Sequence, residues 1–125
     1  MGHPGEVSLP EAFDDLDVGI NLHDTSGERI LDSNARLTEL YGYSLAELRT
    51  LTVEDYTAPS TRFTQEKASR LIAQAADGDP QSFEWQIQRA NDELRWIQVN
   101  LKATEISGVR CVLAEVQDIT AYRAR

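Results

Sequence analysis

From residue 83 the spacing of apolar residues along this chain changes from about 3.6, as in the long stretch before it, to two. After the change, Phe83, Trp85 and Ile87 alternate with Glu84, Gln86 and Gln88. Beyond a turn at Asn91-Asp92, Ile97, Val99 and Leu101 alternate with Gln98, Asn100 and Lys102. This alternation predicts two long strands of an antiparallel sheet with one buried face. Ser107-Gly108 predicts the next turn, and Val109 to Ile119 a last strand. That strand is apolar on both faces, which places it at the centre of the sheet or under cover on both sides.

Before the change, the chain is cut into short elements. Ser8-Leu9-Pro10-Glu11 has the form of a capping box, and Leu9, Ala12, Phe13 and Leu16 follow at helical spacing, which predicts a short amphipathic N-terminal helix. Val18 to His23 reads as a strand, Asp24-Thr25-Ser26-Gly27 as a turn and Arg29 to Asp32 as the hairpin partner. Asn34 is placed to cap a helix carrying Leu37, Leu40 and Tyr41 on one face, with Gly42 ending it. Ser44 to Glu47 forms a second capping box, and Thr52 with Asp55 opens a third short helix. The longest helix is expected from Ser60 to Asp77, with Phe63, Ala68, Leu71, Ile72, Ala75 and Ala76 on one side and Gly78 and Pro80 at its end.

Two strands, several helices and three strands make an α+β domain with its helices on one face of an antiparallel sheet. At 125 residues the chain fits one core. No apolar run approaches the ~18 residues of a membrane span, so the chain reads as soluble, with no membrane contact by this domain. Residues 1–7, beginning Met1-Gly2-His3, lack the order of a secretory signal and read as an added or flexible N-terminus. The single cysteine, Cys111, cannot form an internal disulfide, which fits a reducing, cytoplasmic setting. The net charge of −9 opposes nucleic acid. Lys67 and Lys102 are the two lysines against ten arginines, and this acidic, lysine-poor balance resembles proteins of salt-loving archaea.

Several short motifs occur in order. Asn34 leads to Tyr41-Gly42-Tyr43-Ser44, with Glu47-Leu48 behind it; Phe83-Glu84-Trp85, Trp96-Ile97 and finally Asp118-Ile119-Thr120 follow. Together, over about residues 9 to 122, they resemble a PAS domain with its trailing PAC motif. The resemblance implies a five-stranded antiparallel sheet in the order 2-1-5-4-3, short helices over one face and an N-terminal capping helix. It also implies a sensory or dimerising role inside a larger chain, with the domain at 8–122 and residues 123–125 opening a linker to a missing kinase, transducer or regulator module. Asp118, Ile119 and Thr120 would then be the signal exit, as in a haloarchaeal signal-transduction protein.

The same resemblance, with strand alternation, points Asn21 and His23 toward the helices. The opposite parity would bury Ile20 and Leu22 and expose His23. His23 is thus a hydrogen-bonding pocket residue or a structural or surface histidine, with a metal role set aside. Asn21 and His23 would mark one end of a pocket, with Ile87, Ile97, Val99, Val112, Ala114 and Val116 along the sheet. Leu37, Leu40, Tyr56 and Leu71 would line it from the helices. Such a site suits a small, flat, mostly apolar ligand, aromatic ones included, carrying one carbonyl or amide. The alternative is a filled core, in a homodimerising module without ligand. The cysteinyl-flavin photochemistry of light-oxygen-voltage members is excluded, because the third-helix region reads Leu51-Thr52-Val53-Glu54 and lacks their cysteine. The longest helix has no histidine for axial haem. The cofactor stays unknown.

Parity also sends Trp96, Cys111 and Leu113 to the other sheet face, as a patch for the N-terminal helix, through Phe13 and Leu16, or for a second copy of the domain. The carboxylates of Asp14, Asp15, Asp17, Asp24, Glu54 and Asp55 stand in no nucleophile-base constellation, and no phosphate-binding glycine loop or metal motif is present. The chain therefore reads as a non-enzyme, against the alternative of a small isomerase on a similar cupped sheet.

Overall fold

The alternating stretch after residue 83 forms three strands, and the segmented half before it wraps one face of the sheet they make. The computed structural model describes residues 7–123. Expectations for residues 1–6 and 124–125 lie outside the described residues. The strands are β1 (Gly19–His23), β2 (Ile30–Ser33), β3 (Gln81–Gln88), β4 (Leu94–Ile106) and β5 (Val109–Asp118). All neighbours are antiparallel and the order is β2-β1-β5-β4-β3, as the resemblance implies. The doubly apolar β5 lies at the centre.

Local chemistry sets most boundaries. Ser107 and Gly108 both have positive φ, 55° and 78°, the geometry of a two-residue turn that matches strand twist, so β4 and β5 form a tight hairpin. Helix α1 (Ala35–Tyr41) starts where Asn34 Oδ1 accepts from the Leu37 N–H at 3.1 Å and stops at Gly42, whose φ is 77°. Helix α2 (Leu45–Leu48) opens with the complete Ser44–Glu47 capping box. A 3-10 turn, Val53–Tyr56, follows Thr52, whose N–H donates to Asp55 Oδ2 at 2.8 Å.

Two helical expectations need correction. The long helix α3 is Gln65–Ala76 and starts five residues later than expected, because Thr64 is extended and its hydroxyl accepts from the Lys67 N–H at 3.1 Å. Phe63 is left in the preceding loop. The N-terminal helix is reduced to a 3-10 turn, Glu11–Asp15, with Pro10 at its cap and no side-chain cap bond. The cap position falls on Pro10 and not on Ser8, and the Leu9 N–H donates to Asp32 Oδ2 at 2.6 Å.

Gly19, Asn21 and His23 pair with Val116, Ala114 and Val112, and this face of β1 and β5 is turned toward α1 and α3. The main core lies between that face and the helices. Gly27, at φ 76°, is required where the β1–β2 turn meets α3, since a Cβ there would stand 3.0 Å from Ser69 Cα. Ile20, Leu22 and Cys111 are also buried, on the opposite face and outside the main core.

Candidate functional site

Between sheet and helices is a cavity of about 40 Å³. Asn21 and His23 of β1 reach it at one side, and Phe83, Trp85, Ile97, Val99, Leu101, Ala114 and Val116 floor it from β3, β4 and β5. Tyr41 of α1, Val53 and Tyr56 of the second 3-10 turn, and Ala68 and Ile72 of α3 close it. The wall is tied to the floor by Trp85 Nε1, which donates to Thr57 Oγ1 at 3.0 Å, while that hydroxyl donates to the Val53 carbonyl at 2.6 Å.

Of the expected lining, Asn21, His23, Tyr56, Ile97, Val99, Ala114 and Val116 meet at the cavity. Leu37, Leu40, Leu71, Ile87 and Val112 do not line it, and all five pack in or against the core. Leu37 is turned onto Gly19, where a Cβ would stand 3.1 Å from its Cδ1. With α3 starting at Gln65, Ala68 and Ile72 face the cavity one turn apart and Leu71 is rotated to the flank. Tyr41, Val53, Ala68, Ile72, Phe83, Trp85 and Leu101 were missed as lining residues. Phe83, Trp85 and Leu101 were recoverable, since they share the strand parity of Ile97 and Val99, and so were Ala68 and Ile72, from the apolar side of the long helix; Val53 gave no such signal.

Among the described residues, no charged side chain lines the cavity. The His23 pKa is lowered from 6.5 to about 4, because burial penalises the imidazolium more than Asp24 favours it. His23 is thus neutral at physiological pH, and its Nδ1 has no hydrogen-bond partner among the described residues. Asn21 Oδ1 accepts from the Ser33 hydroxyl at 2.7 Å. Burial raises the pKa of both Tyr41 and Tyr56, whose rings stand 5.1 Å apart, and for Tyr56 the neighbouring Tyr41 and Asp55 add to it. The site is therefore a small apolar chamber with neutral polar groups, suited to holding an uncharged molecule.

The expected signal exit is a joint between β5 and the one-turn helix α4 (Thr120–Arg123). Asp118 Oδ1 accepts from the Thr120 N–H at 2.9 Å, and Asp118 Oδ2 faces Arg95 at 3.5 Å. The Ile119 N–H donates to the Trp96 carbonyl and the Trp96 N–H to Thr120 Oγ1, both at 2.8 Å.

On the other sheet face Trp96 does not share one patch with Cys111 and Leu113. Cys111 pairs with Thr104, eight residues along β4 from Trp96 and so roughly 26 Å away at strand rise, with Gln98, Asn100 and Lys102 between. Leu113, half-buried, sits opposite Lys102. The N-terminal turn that carries Phe13 and Leu16 is held at the start of α1, where Asn34 Nδ2 donates to the Phe13 carbonyl at 2.8 Å and the Ala35 N–H to Asp14 Oδ1 at 2.7 Å. Leu16 stays exposed, and Trp96 is covered by Arg123 instead.

Among the described residues, no helix is long and apolar enough to cross a membrane. No curated protein matches the chain. Solved structures do. The PAS domain of an HTR-like protein from Haloarcula marismortui is 21% identical, with a TM-score of 0.75 over 87% of this chain and 88% of that one. A domain of a sensory box sensor histidine kinase/response regulator from Geobacter sulfurreducens is 18% identical, with a TM-score of 0.66 over 82% and 85%. The PAS domain of a LuxR-family transcriptional regulator from Burkholderia thailandensis, solved in complex with ethanol, is 20% identical, with a TM-score of 0.66 over 86% and 94%. The family described as the PAS fold matches residues 13–124. With that match over nearly its whole length and the sheet order β2-β1-β5-β4-β3, this chain belongs to the PAS fold family.

Proposed function

We propose that the domain is the sensory module of a larger signalling protein, and that it reads the occupancy of the Asn21–His23 chamber by a small uncharged molecule. The observation that carries this reading is a buried neutral histidine with an unpartnered Nδ1 beside an apolar cavity. A ligand bearing one hydrogen-bonding group would compensate that orphaned atom. The volume limits the ligand class. An aromatic ring fills a cavity of about 150 Å³, so a chamber of about 40 Å³ favours two- to four-atom alcohols or ketones over the flat aromatic compounds expected earlier. The ethanol complex of the similar Burkholderia domain supports this size class.

A second reading rests on the same volume. A chamber far below the ~300 Å³ of common ligand pockets fits an interaction module with a filled core, which joins copies of the chain or its neighbours. Titration of the ¹⁵N-labelled protein with ethanol, 2-propanol and acetone separates the two. The sensory reading expects saturable shifts at the Asn21 side-chain amide and the His23 ring for at least one probe, and their loss in His23→Leu. Shifts that stay linear to high concentration, together with a concentration-dependent dimer in light scattering, would replace it with the interaction module.

A further inference from the structure

We infer that the chamber takes a small uncharged diol, one hydroxyl held at Asn21 and His23 and the other by the phenol groups of Tyr41 and Tyr56. The inference rests on the sensory reading above and sharpens its ligand class.

Strand register separates the two polar ends. His23 pairs with Val112, which faces Ala103 of β4, and Asn21 pairs with Ala114, which faces Leu101. Tyr56 belongs to the other end of the sheet, since its neighbour Thr57 bridges Ile87, and Ile87 faces Arg95. Arg95 and Leu101 are six residues apart on β4, roughly 20 Å at strand rise. Tyr41 enters from the same end as Tyr56, because its carbonyl accepts from the Ala90 N–H in the turn after β3. All four side chains reach the chamber, so polar groups approach it from opposite ends, with Ile97 and Val99 between them.

The two phenols share the condition of the histidine. Among the described residues neither phenol oxygen has a hydrogen-bond partner, and His23 Nδ1 is the one fully enclosed side-chain polar atom left unbonded. The phenol oxygens therefore border open space, and with each tyrosine only 3% exposed that space is the chamber. A buried tyrosine hydroxyl ordinarily finds a partner. Here two of them stand together, their rings 5.1 Å apart. Burial keeps both phenols protonated, so each can donate or accept. A ligand hydroxyl also does both, and so fits a neutral imidazole in either tautomer and a phenol in either role, whereas a carbonyl only accepts. A ligand with one hydroxyl satisfies one end and leaves the other unpaired. A diol satisfies both.

The test compares ethane-1,2-diol with 1-propanol, which have the same number of non-hydrogen atoms and differ by a hydroxyl in place of a methyl. Each is titrated into the ¹⁵N-labelled protein and read at the Asn21 side-chain amide and the His23 ring. The diol should bind about threefold tighter; a chamber with a single polar end would favour the propanol, because the second hydroxyl would be buried without a partner. In the double variant Tyr41→Phe, Tyr56→Phe the preference should vanish or reverse. That variant removes only unbonded hydroxyls, so with no probe added its Tm should stay within about 1 °C of the wild type or rise. Propanol binding as tightly as the diol or tighter, or a diol preference that survives in the double variant, would overturn the diol assignment and leave the sensory reading standing. If neither probe gives saturable shifts, the sensory reading falls and the diol with it. A Tm several degrees lower in the double variant would show that the hydroxyls are bonded within the fold, and would overturn the second polar end without touching the alcohol and ketone titration.

Discussion

His23 carries the clearest consequence at the scale of single residues. Its pKa is lowered to about 4 in the fold, against 6.5 when exposed, so the unfolded chain binds a proton that the folded chain refuses between those values. Stability therefore rises with pH across that window: the contribution is complete above pH 6.5 and lost below about 4. The gap corresponds to roughly 3 kcal/mol. Urea midpoints at pH 7 and pH 4.5 should differ more in the wild type than in His23→Leu, by most of that amount. An equal difference in the two proteins would mean that His23 is not held neutral. Which way His23 points could not be read from its neighbours, because Ile20 and Leu22 are also buried and either parity satisfies a buried strand.

At the scale of elements, Asn34 joins three of them. Its Oδ1 accepts from the N–H groups of Ile20 and Leu37, and its Nδ2 donates to the carbonyls of Phe13 and Val18, all within 3.1 Å. A helix cap is visible in the sequence because it is a local relation between Asn34 and Leu37. The bonds to Phe13, Val18 and Ile20 are not, because they span 14 to 21 residues. Asn34→Ala should cost about 3 kcal/mol or more, well beyond the ~1 kcal/mol of an ordinary cap, since buried backbone groups lose their partners. Equilibrium urea denaturation measures it, and a loss near 1 kcal/mol would reduce Asn34 to a cap alone. The N-terminal helix went astray for the matching reason. Its capping signal is local, but Leu9 is tied to Asp32, 23 residues away, and the cap position falls on Pro10.

For the whole molecule, 21 acidic against 12 basic residues leave unbalanced negative charge on a small surface. The ion pairs among the described residues, such as Arg36–Glu39 and Arg123–Glu84, are mostly exposed and contribute little individually. Self-repulsion outweighs them, so screening should stabilise the fold. Raising KCl from about 0.05 M to about 1 M is expected to lift Tm by about 4 °C, or about 1 kcal/mol. A flat or falling Tm would show that the arginine pairs dominate.

The chain by itself determined the five strands, helices α1 to α3 apart from the start of α3, most of its turns and caps, and the central place of β5. Each of these follows from side-chain period or from chemistry within a few residues, and the order of elements leaves few ways to bury their apolar faces. Tertiary structure alone decided which side chains meet at the cavity, how little space they leave, and that Arg123 rather than the N-terminal turn covers Trp96. Those outcomes depend on register between strands and on contacts such as Trp85–Thr57, 28 residues apart. An apolar pattern states that a side chain is buried, but only the packed molecule states against what.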